Sequence, residues 1–513
     1  MSEVVVIHEA DTAIVGAGAA GCVLAARLSQ DPDHRVILIE AGPDYPTLAS
    51  LPDDLRDGRR SAGSHDWQYT DTVTGGPIAR ARVVGGCSAT NGTIALRGAV
   101  RDFDGWAARG NPGWSYAEVL PAFLRVEDDH DFADRWHGSG GPLPIRRYPA
   151  KELTPVNARA YEAAVQAGFP EIADHNRPGA MGLGPAPVNA LAGVRMSAAM
   201  TYLAQARHRR NLTILPDTDV DRVLIDNGRA TGVGLADGTA VRAARVVLAA
   251  GTYGSPAILM RSGLGPAQDL RDLGIDPVAD LPGVGRNLQE HPGVSVIWPL
   301  AQPQQPHRQE QEQEQSQQQP EGPRFQIVAT WASGSDAETD FDMQHVPAAT
   351  PTMFWISAAV MTPRSRGTVK LASPDPAVPP RIRVNLLDDP LDVARMLDGV
   401  RSARRIGAKA PLAELAAGAE QWAGSAIDDA DDEELAKAVK SAAWTYHHAS
   451  GTCAMGPSPS AGAVVDARGA VHGVDGLTVA DASIMPIIPS ANTHLTVLMV
   501  AERIAAWLSA SPR

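Results

Sequence analysis

The run Gly16-Ala17-Gly18-Ala19-Ala20-Gly21 has the glycine spacing that lets a chain bend round a pyrophosphate. Gly16 permits the tight turn, Gly18 lets backbone approach the phosphates, and Gly21 allows a helix to pack closely on a strand. Glu40, roughly 20 residues further on, could accept hydrogen bonds from both hydroxyls of a ribose and would repel a 2′-phosphate. That chemistry is dinucleotide binding, with FAD and NAD both open at this point. A second chemistry is proton transfer, for which histidine is the natural base near neutral pH. The chain has 14 histidines, two of them adjacent at His447-His448.

The glycine run needs a strand before it and a helix after it. Thr12-Ala13-Ile14-Val15 is a short apolar run that stops at Gly16. Ala19 to Leu28 is rich in Ala, Leu and Val and suits a helix, and Arg35 to Ile39 is β-branched and ends at Glu40. Strand, turn, helix and strand make a βαβ unit, the context in which the motif becomes informative. Further strands are expected over Leu212 to Leu215, Asp219 to Ile225, Ala230 to Leu235 and Ala244 to Ala249, with turns at Gly228 and Asp237-Gly238. Helices are expected over Pro256 to Arg261, Leu391 to Ala408 and Asn492 to Ser509. Residues 301–323 are Gln-, Glu- and Pro-rich and read as a disordered surface insert.

A length of 513 residues allows two to four lobes and a large core. The formal net charge of -14 argues against nucleic acid or an anionic membrane surface as the main partner. Cys22, Cys87 and Cys453 lack metal-ligand spacing and read as reduced thiols, and no metal is expected. No signal peptide and no run of ~20 apolar residues is visible, so the expectation is a cytoplasmic protein without a transmembrane segment.

Ala81 to Gly92 (ARVVGGCSATNG) resembles the first signature of the glucose-methanol-choline (GMC) oxidoreductases, and Gly251 to Gly265 (GTYGSPAILMRSGLG) resembles the second. Leu281 to Pro292 (LPGVGRNLQEHP), Pro363 to Gly367 (PRSRG) and His448 to Gly456 (HASGTCAMG) resemble further blocks of that family, most of all in its choline-dehydrogenase-like members. The resemblance covers nearly the whole chain except the Gln-rich insert. It implies an α/β fold: a doubly wound, Rossmann-like FAD-binding lobe and a substrate lobe with an antiparallel sheet flanked by helices. The FAD lobe is expected from residues 8–150, 192–296 and 455–509, and the substrate lobe from 151–191 and 297–454.

The same resemblance settles the cofactor as FAD. It puts Val84, Gly86, Asn91, Gly92, Thr93 and Ile94 along the flavin, and Val220 at the adenine. Asp481 and Ala482 precede a segment that returns to the phosphates and ribityl chain. Ala41, Arg82, Gly251 and Thr493 complete the expected cofactor set, with Gly16, Gly18, Ala19, Ala20, Gly21 and Glu40. Some members attach FAD covalently through a histidine at the position that is Thr90 here, so non-covalent FAD is expected.

Counting back from Gly451, the catalytic histidine of the family falls on His448, and the second position, His or Asn in the family, falls on Asn492. The implied reaction takes a hydride from an alcohol carbon to flavin N5 while His448 takes the hydroxyl proton. An uncharged amide leaves one titrating base, so the rate is expected to rise with pH as His448 loses its proton. The favoured reading is a dehydrogenase passing electrons to a quinone or other carrier. An oxidase making H2O2 is the alternative, and a hydroxynitrile-lyase-type enzyme that keeps FAD as structure is a third. Which alcohol is the substrate stays open.

Overall fold

The computed structural model describes residues 5–301, 322–334 and 341–510. The expected insert at 301–323 lies outside the described residues except for 301, 322 and 323. Two sheets organise the chain. The first has the order Leu212–Leu215, Val36–Ile39, Val6–Val15, Ala240–Leu248, Arg229–Leu235, Val220–Asp226. Its first four strands run parallel, and Leu477–Val479 joins Ala240–Leu248 in parallel as a seventh strand. All four residues of Val36–Ile39 are buried, as befits a parallel strand covered on both faces.

The glycine loop turns this sheet into a site. Strand Val6–Val15 ends at Gly16, which takes φ +94°, and helix Ala19–Leu28 begins at once. That helix packs on the C-terminal helix Thr493–Ala510, whose Leu495, Leu498, Ala501 and Ile504 are all buried. Arg27 and the buried Glu502 lock the two helices at 2.7 Å.

The second sheet has the order Trp444–Thr445, Pro292–Pro299, Met353–Val360, Met343–Ala349, Ile327–Trp331, Gly182–Pro185, every pair antiparallel. Successive residues of a strand face opposite ways. Val294, Val296, Phe354, Ile356 and Ala358 point one way and bury against Met396, Val400 and Ala403 of helix Pro390–Gly407. Each such side chain contributes about 1.5–3 kcal/mol when fully buried. Ser295, Trp355 and Ser357 point the other way. The strand Pro292–Pro299 of this sheet runs through residue 296, which the sequence expectation gave as the end of an FAD-lobe stretch.

Strands meet the sequence expectations closely, but one helix starts early. Pro256 was expected to open a helix, yet it lies inside Gly251–Arg261. A proline there leaves the carbonyl of Thr252 without its helical donor. The hydroxyl of Thr452 fills the gap, donating to that carbonyl at 2.6 Å.

Candidate active site

A cavity of about 920 Å3 is lined by residues of both sheets, near the upper end for small-molecule sites. Gly16, Gly18, Ala19 and Ala20 line it. The helix behind them has no side-chain cap and no acid in its first turn, so its N–H groups are available to phosphate. Gly21 is not on the wall; a Cβ there would stand 1.9 Å from the Gly16 carbonyl oxygen, so its part is packing. Gly86, with φ +52°, meets the same loop from outside, where a Cβ would stand 2.6 Å from Gly18 Cα.

Glu40 and Ala41 line the cavity. The backbone N–H groups of Ala17 and Gly42 donate to the Glu40 carboxylate at 2.8 and 3.0 Å and aim it. Burial nevertheless pushes its pKa up to about 7, against those two bonds. Arg82 pairs with Asp219 at 2.9 Å beside Val220, whose carbonyl accepts from Arg261 at 3.3 Å. Asn91, Gly92 and Ile94 reach the wall, but Val84 and Thr93 do not. These two were expected along the flavin; both are buried behind the wall instead, Val84 in the core of the first lobe. Thr93 takes φ +64°, rare for a β-branched residue, and Asn91 Oδ1 holds it by accepting its N–H at 3.0 Å. Gly251, Asp481, Ala482 and Thr493 are on the wall. Asp481 accepts from Gly251 N–H at 2.8 Å, Ser255 O–H at 2.6 Å and Ser483 N–H at 2.8 Å. An uncapped helix start, bare glycine backbone and an aimed carboxylate together fit FAD.

His448 and Asn492 meet on the same cavity. Asn492 Nδ2 lies 3.2 Å from His448 Nε2, which brings together residues from distant parts of the chain. Asn492 Oδ1 is buried with no protein donor among the described residues. Burial, reinforced by His291, His447 and Arg80, holds His448 well below the ordinary histidine range. His448 is therefore neutral at pH 7, and the rise of rate with pH expected from the sequence moves into the acid range. His447, the residue before it, takes φ +65° and gives its carbonyl to Arg80 at 2.9 Å. Its ring opens on the cavity, yet the protein packed around it and the Arg80 charge lower it to about 4. His494 also lines the cavity, but Asn492 is the residue that reaches His448.

The loop carrying His448 is fastened from several sides. Thr252 Oγ1 donates to the Ala449 carbonyl at 2.7 Å. Glu290 Oε1 accepts the backbone N–H of His448 at 2.7 Å and of His291 at 2.9 Å. Its other oxygen lies 3.6 Å from the Arg80 guanidinium. Burial pushes Glu290 up to about 7, against that charge. Glu290, His291 and Arg80 were not singled out from sequence as site residues. The only signal was that the first two sit in the LQEHP block.

One wall of the cavity is the open face of the second sheet. Ser295, Ser357 and Val346 stand in one row across three strands, with Trp355 and Trp444 flanking them. The Ser295 and Ser357 hydroxyls are 3.0 Å apart. None of these five side chains ionises. Gly293 leaves room for the Trp444 indole, which a Cβ would meet at 2.8 Å. Phe354 and Trp331 take no part in this wall: the one stacks on Trp298 and the other on His345. The three cysteines are unpaired, and no helix among the described residues is long and apolar enough to cross a membrane.

Two family models of the GMC oxidoreductases match, over residues 10–293 and 363–501. A 5-(hydroxymethyl)furfural oxidase of Methylovorus sp. is 37% identical, over 96% of this chain and 98% of its own. An oxygen-dependent choline dehydrogenase of Ectopseudomonas mendocina is 36% identical, over 97% of this chain and 94% of its own. The crystal structure of a pyridoxine 4-oxidase from Mesorbium loti superposes with a TM-score of 0.86 at 31% identity, covering 98% of this chain and 100% of that one. With the dinucleotide loop, the cavity and a neutral histidine in place, the chain belongs to the GMC oxidoreductase family, whose members bind FAD and act on alcohols.

Proposed function

We propose that the protein oxidises an uncharged alcohol to its carbonyl, with His448 as the base and Asn492 as the group that holds the substrate oxygen. The observation that carries this reading is the 3.2 Å contact between Asn492 Nδ2 and a neutral His448 Nε2 on the cavity wall. When bound, FAD supplies the hydride acceptor. Nε2 of His448 takes the hydroxyl proton, and the Asn492 amide, its resting partner, donates to the substrate oxygen as negative charge develops there. The row of Ser295, Val346 and Ser357 with Trp355 and Trp444 supports a flat, neutral substrate. It offers no carboxylate to a permanent cation, and the Arg324 guanidinium lies 5.9 Å over the Trp355 ring. Hydroxymethylfurfural suits this wall better than choline.

The sheet memberships support an FAD lobe of residues 8–150, 192–291 and 455–509 and a substrate lobe between them. Thr90, on the cavity wall, offers only a hydroxyl where a linking histidine would stand, which supports FAD held without a covalent bond. Heat or acid should then release the yellow colour into the supernatant. For the acceptor, oxygen is the reading taken to the test: one relative is oxygen-dependent and two are oxidases, while two further relatives, glucose dehydrogenases, are named for quinone. The test is anaerobic mixing of the holoprotein with a panel of alcohols, followed by admission of air. Bleaching by a neutral alcohol and H2O2 on re-oxidation are expected. An enzyme that no alcohol bleaches would overturn the reading.

A further inference from the structure

We propose that His291 is a positioning residue that fixes the tautomer of His448 by accepting its Nδ1 proton. This rests on the reading of His448 as the base. The His291 ring is fully buried and its Nδ1 lies 2.9 Å from His448 Nδ1, the two rings set edge-on at 84° with centroids 5.1 Å apart. Two nitrogens at that distance share one proton.

The other side of His448 says which ring owns it. Nε2 faces the Asn492 Nδ2 donor at 3.2 Å, so Nε2 is the acceptor and the lone pair. A neutral imidazole has one N–H, so the proton of His448 sits on Nδ1 and points at His291. His291 accepts, which leaves its own proton on Nε2. The free lone pair of the base is thereby turned to the cavity, where an alcohol would present its hydroxyl.

A carboxylate is the usual orienter of a catalytic histidine, and it also stabilises the imidazolium that forms. His291 can do only the first. Burial drives it down to about 3, against the pull of the Met361 and Pro489 backbone, so it accepts without carrying charge. The carboxylate that is present, Glu290, spends its Oε1 on the two backbone N–H groups and sets the spacing of the rings. The other groups facing the pair are Arg80, His447 and Tyr446, whose ring lies 4.7 Å edge-on from His448.

The test has two arms on the FAD-loaded protein. In the first, histidine-selective 15N spectra of the wild type are compared with those of His448→Asn to assign the His448 ring. Protonated Nδ1 and unprotonated Nε2 are expected at pH 7.5; the reverse pattern overturns the proposal whether or not any alcohol is oxidised. In the second, His291→Phe removes the acceptor and His291→Asn restores an oxygen at the Nδ1 position. His291→Phe should slow the limiting bleaching rate roughly 10–100-fold, with half-saturation within about two-fold and FAD content unchanged. His291→Asn should recover most of that loss. Equal rates in the two variants, or wild-type bleaching by His291→Phe, would sink the idea. If the Phe variant does not fold, the Asn variant and the spectra still decide. If no alcohol bleaches the wild type, the functional reading fails while the tautomer stands or falls on its own.

Discussion

Two histidines of this chain, His137 buried in the first lobe and His448 half-buried on the cavity wall, are kept in opposite charge states. His448 touches His291 and Asn492 and lies well below the ordinary histidine range. His137 sits between Asp129 at 3.0 Å and Asp174 at 2.9 Å. Burial opposes its charge too, but those two carboxylates outweigh it and carry His137 up to about 9. Arg147 spans the same pair of acids, at 2.9 and 3.0 Å, and Arg97 holds the neighbouring Glu127. Glu127, Asp129 and His137 are spaced like ligands of a cation, yet the two guanidinium groups already supply that charge. The difference teaches that burial alone does not make a base. The hydrogen-bond partners decide, and neutral partners keep a proton acceptor available at pH 7.

The comparison can be broken most directly by removing each ring. His448→Ala should lower the bleaching rate roughly 10²–10⁴-fold with FAD still bound. A rate near that of the wild type would end the assignment of the base. The matching change, His137→Phe, should leave the rate per folded molecule unchanged. It removes one of the two buried cations that Asp129 and Asp174 share, leaving Arg147 alone between them, so denaturant unfolding should show a loss of up to about 3–5 kcal/mol. An unaltered midpoint would show that the cluster is not charge-paired as drawn.

The pH profiles should diverge as well. A histidine raised in the folded state stabilises it fully below the unfolded value of 6.5, and that stability is lost as pH rises towards about 9. His448 is lowered, so its contribution is present above 6.5 and lost as pH falls below it. Wild-type stability should therefore decline between pH 6.5 and 9, and His137→Phe should lack that decline. The bleaching rate should be level above pH 6.5 and fall only on the acid side, because the base has no proton to lose at higher pH. A rise in rate centred above pH 7 would contradict a lowered His448. The smallest effect concerns a neutral fastening: Thr452→Val frees the Thr252 carbonyl and should cost about 1–2 kcal/mol of stability, with a modest fall in rate.

Much of the fold could be read from the sequence because its signals are local. The strand, glycine turn, helix and strand around residues 12–40 need only neighbouring residues to be recognised, and so does the helix Pro390–Gly407. Contacts between distant segments could not be read. Pro256 looks like a helix start, and only a hydroxyl at Thr452 shows why the helix begins at Gly251. His448 could be placed by counting from Gly451, but nothing near it in sequence points to His291 or Glu290. Val84 and Thr93 sit in the right motif, yet the turn that lays Asn91 and Gly92 against the cavity folds these two behind it.

The alternation in the second sheet has a practical consequence. Along Met353–Val360 the even-numbered positions Phe354, Ile356 and Ala358 are committed to the helix behind, while Trp355 and Ser357 face the cavity. Pro292–Pro299 repeats the pattern, with Val294 and Val296 inward and Ser295 outward. Two vocabularies are thus interleaved in the same strands, one spelling stability and the other spelling the shape and polarity of the cavity wall. A library that randomises only 295, 355 and 357 should therefore explore new substrates while nearly every member still folds.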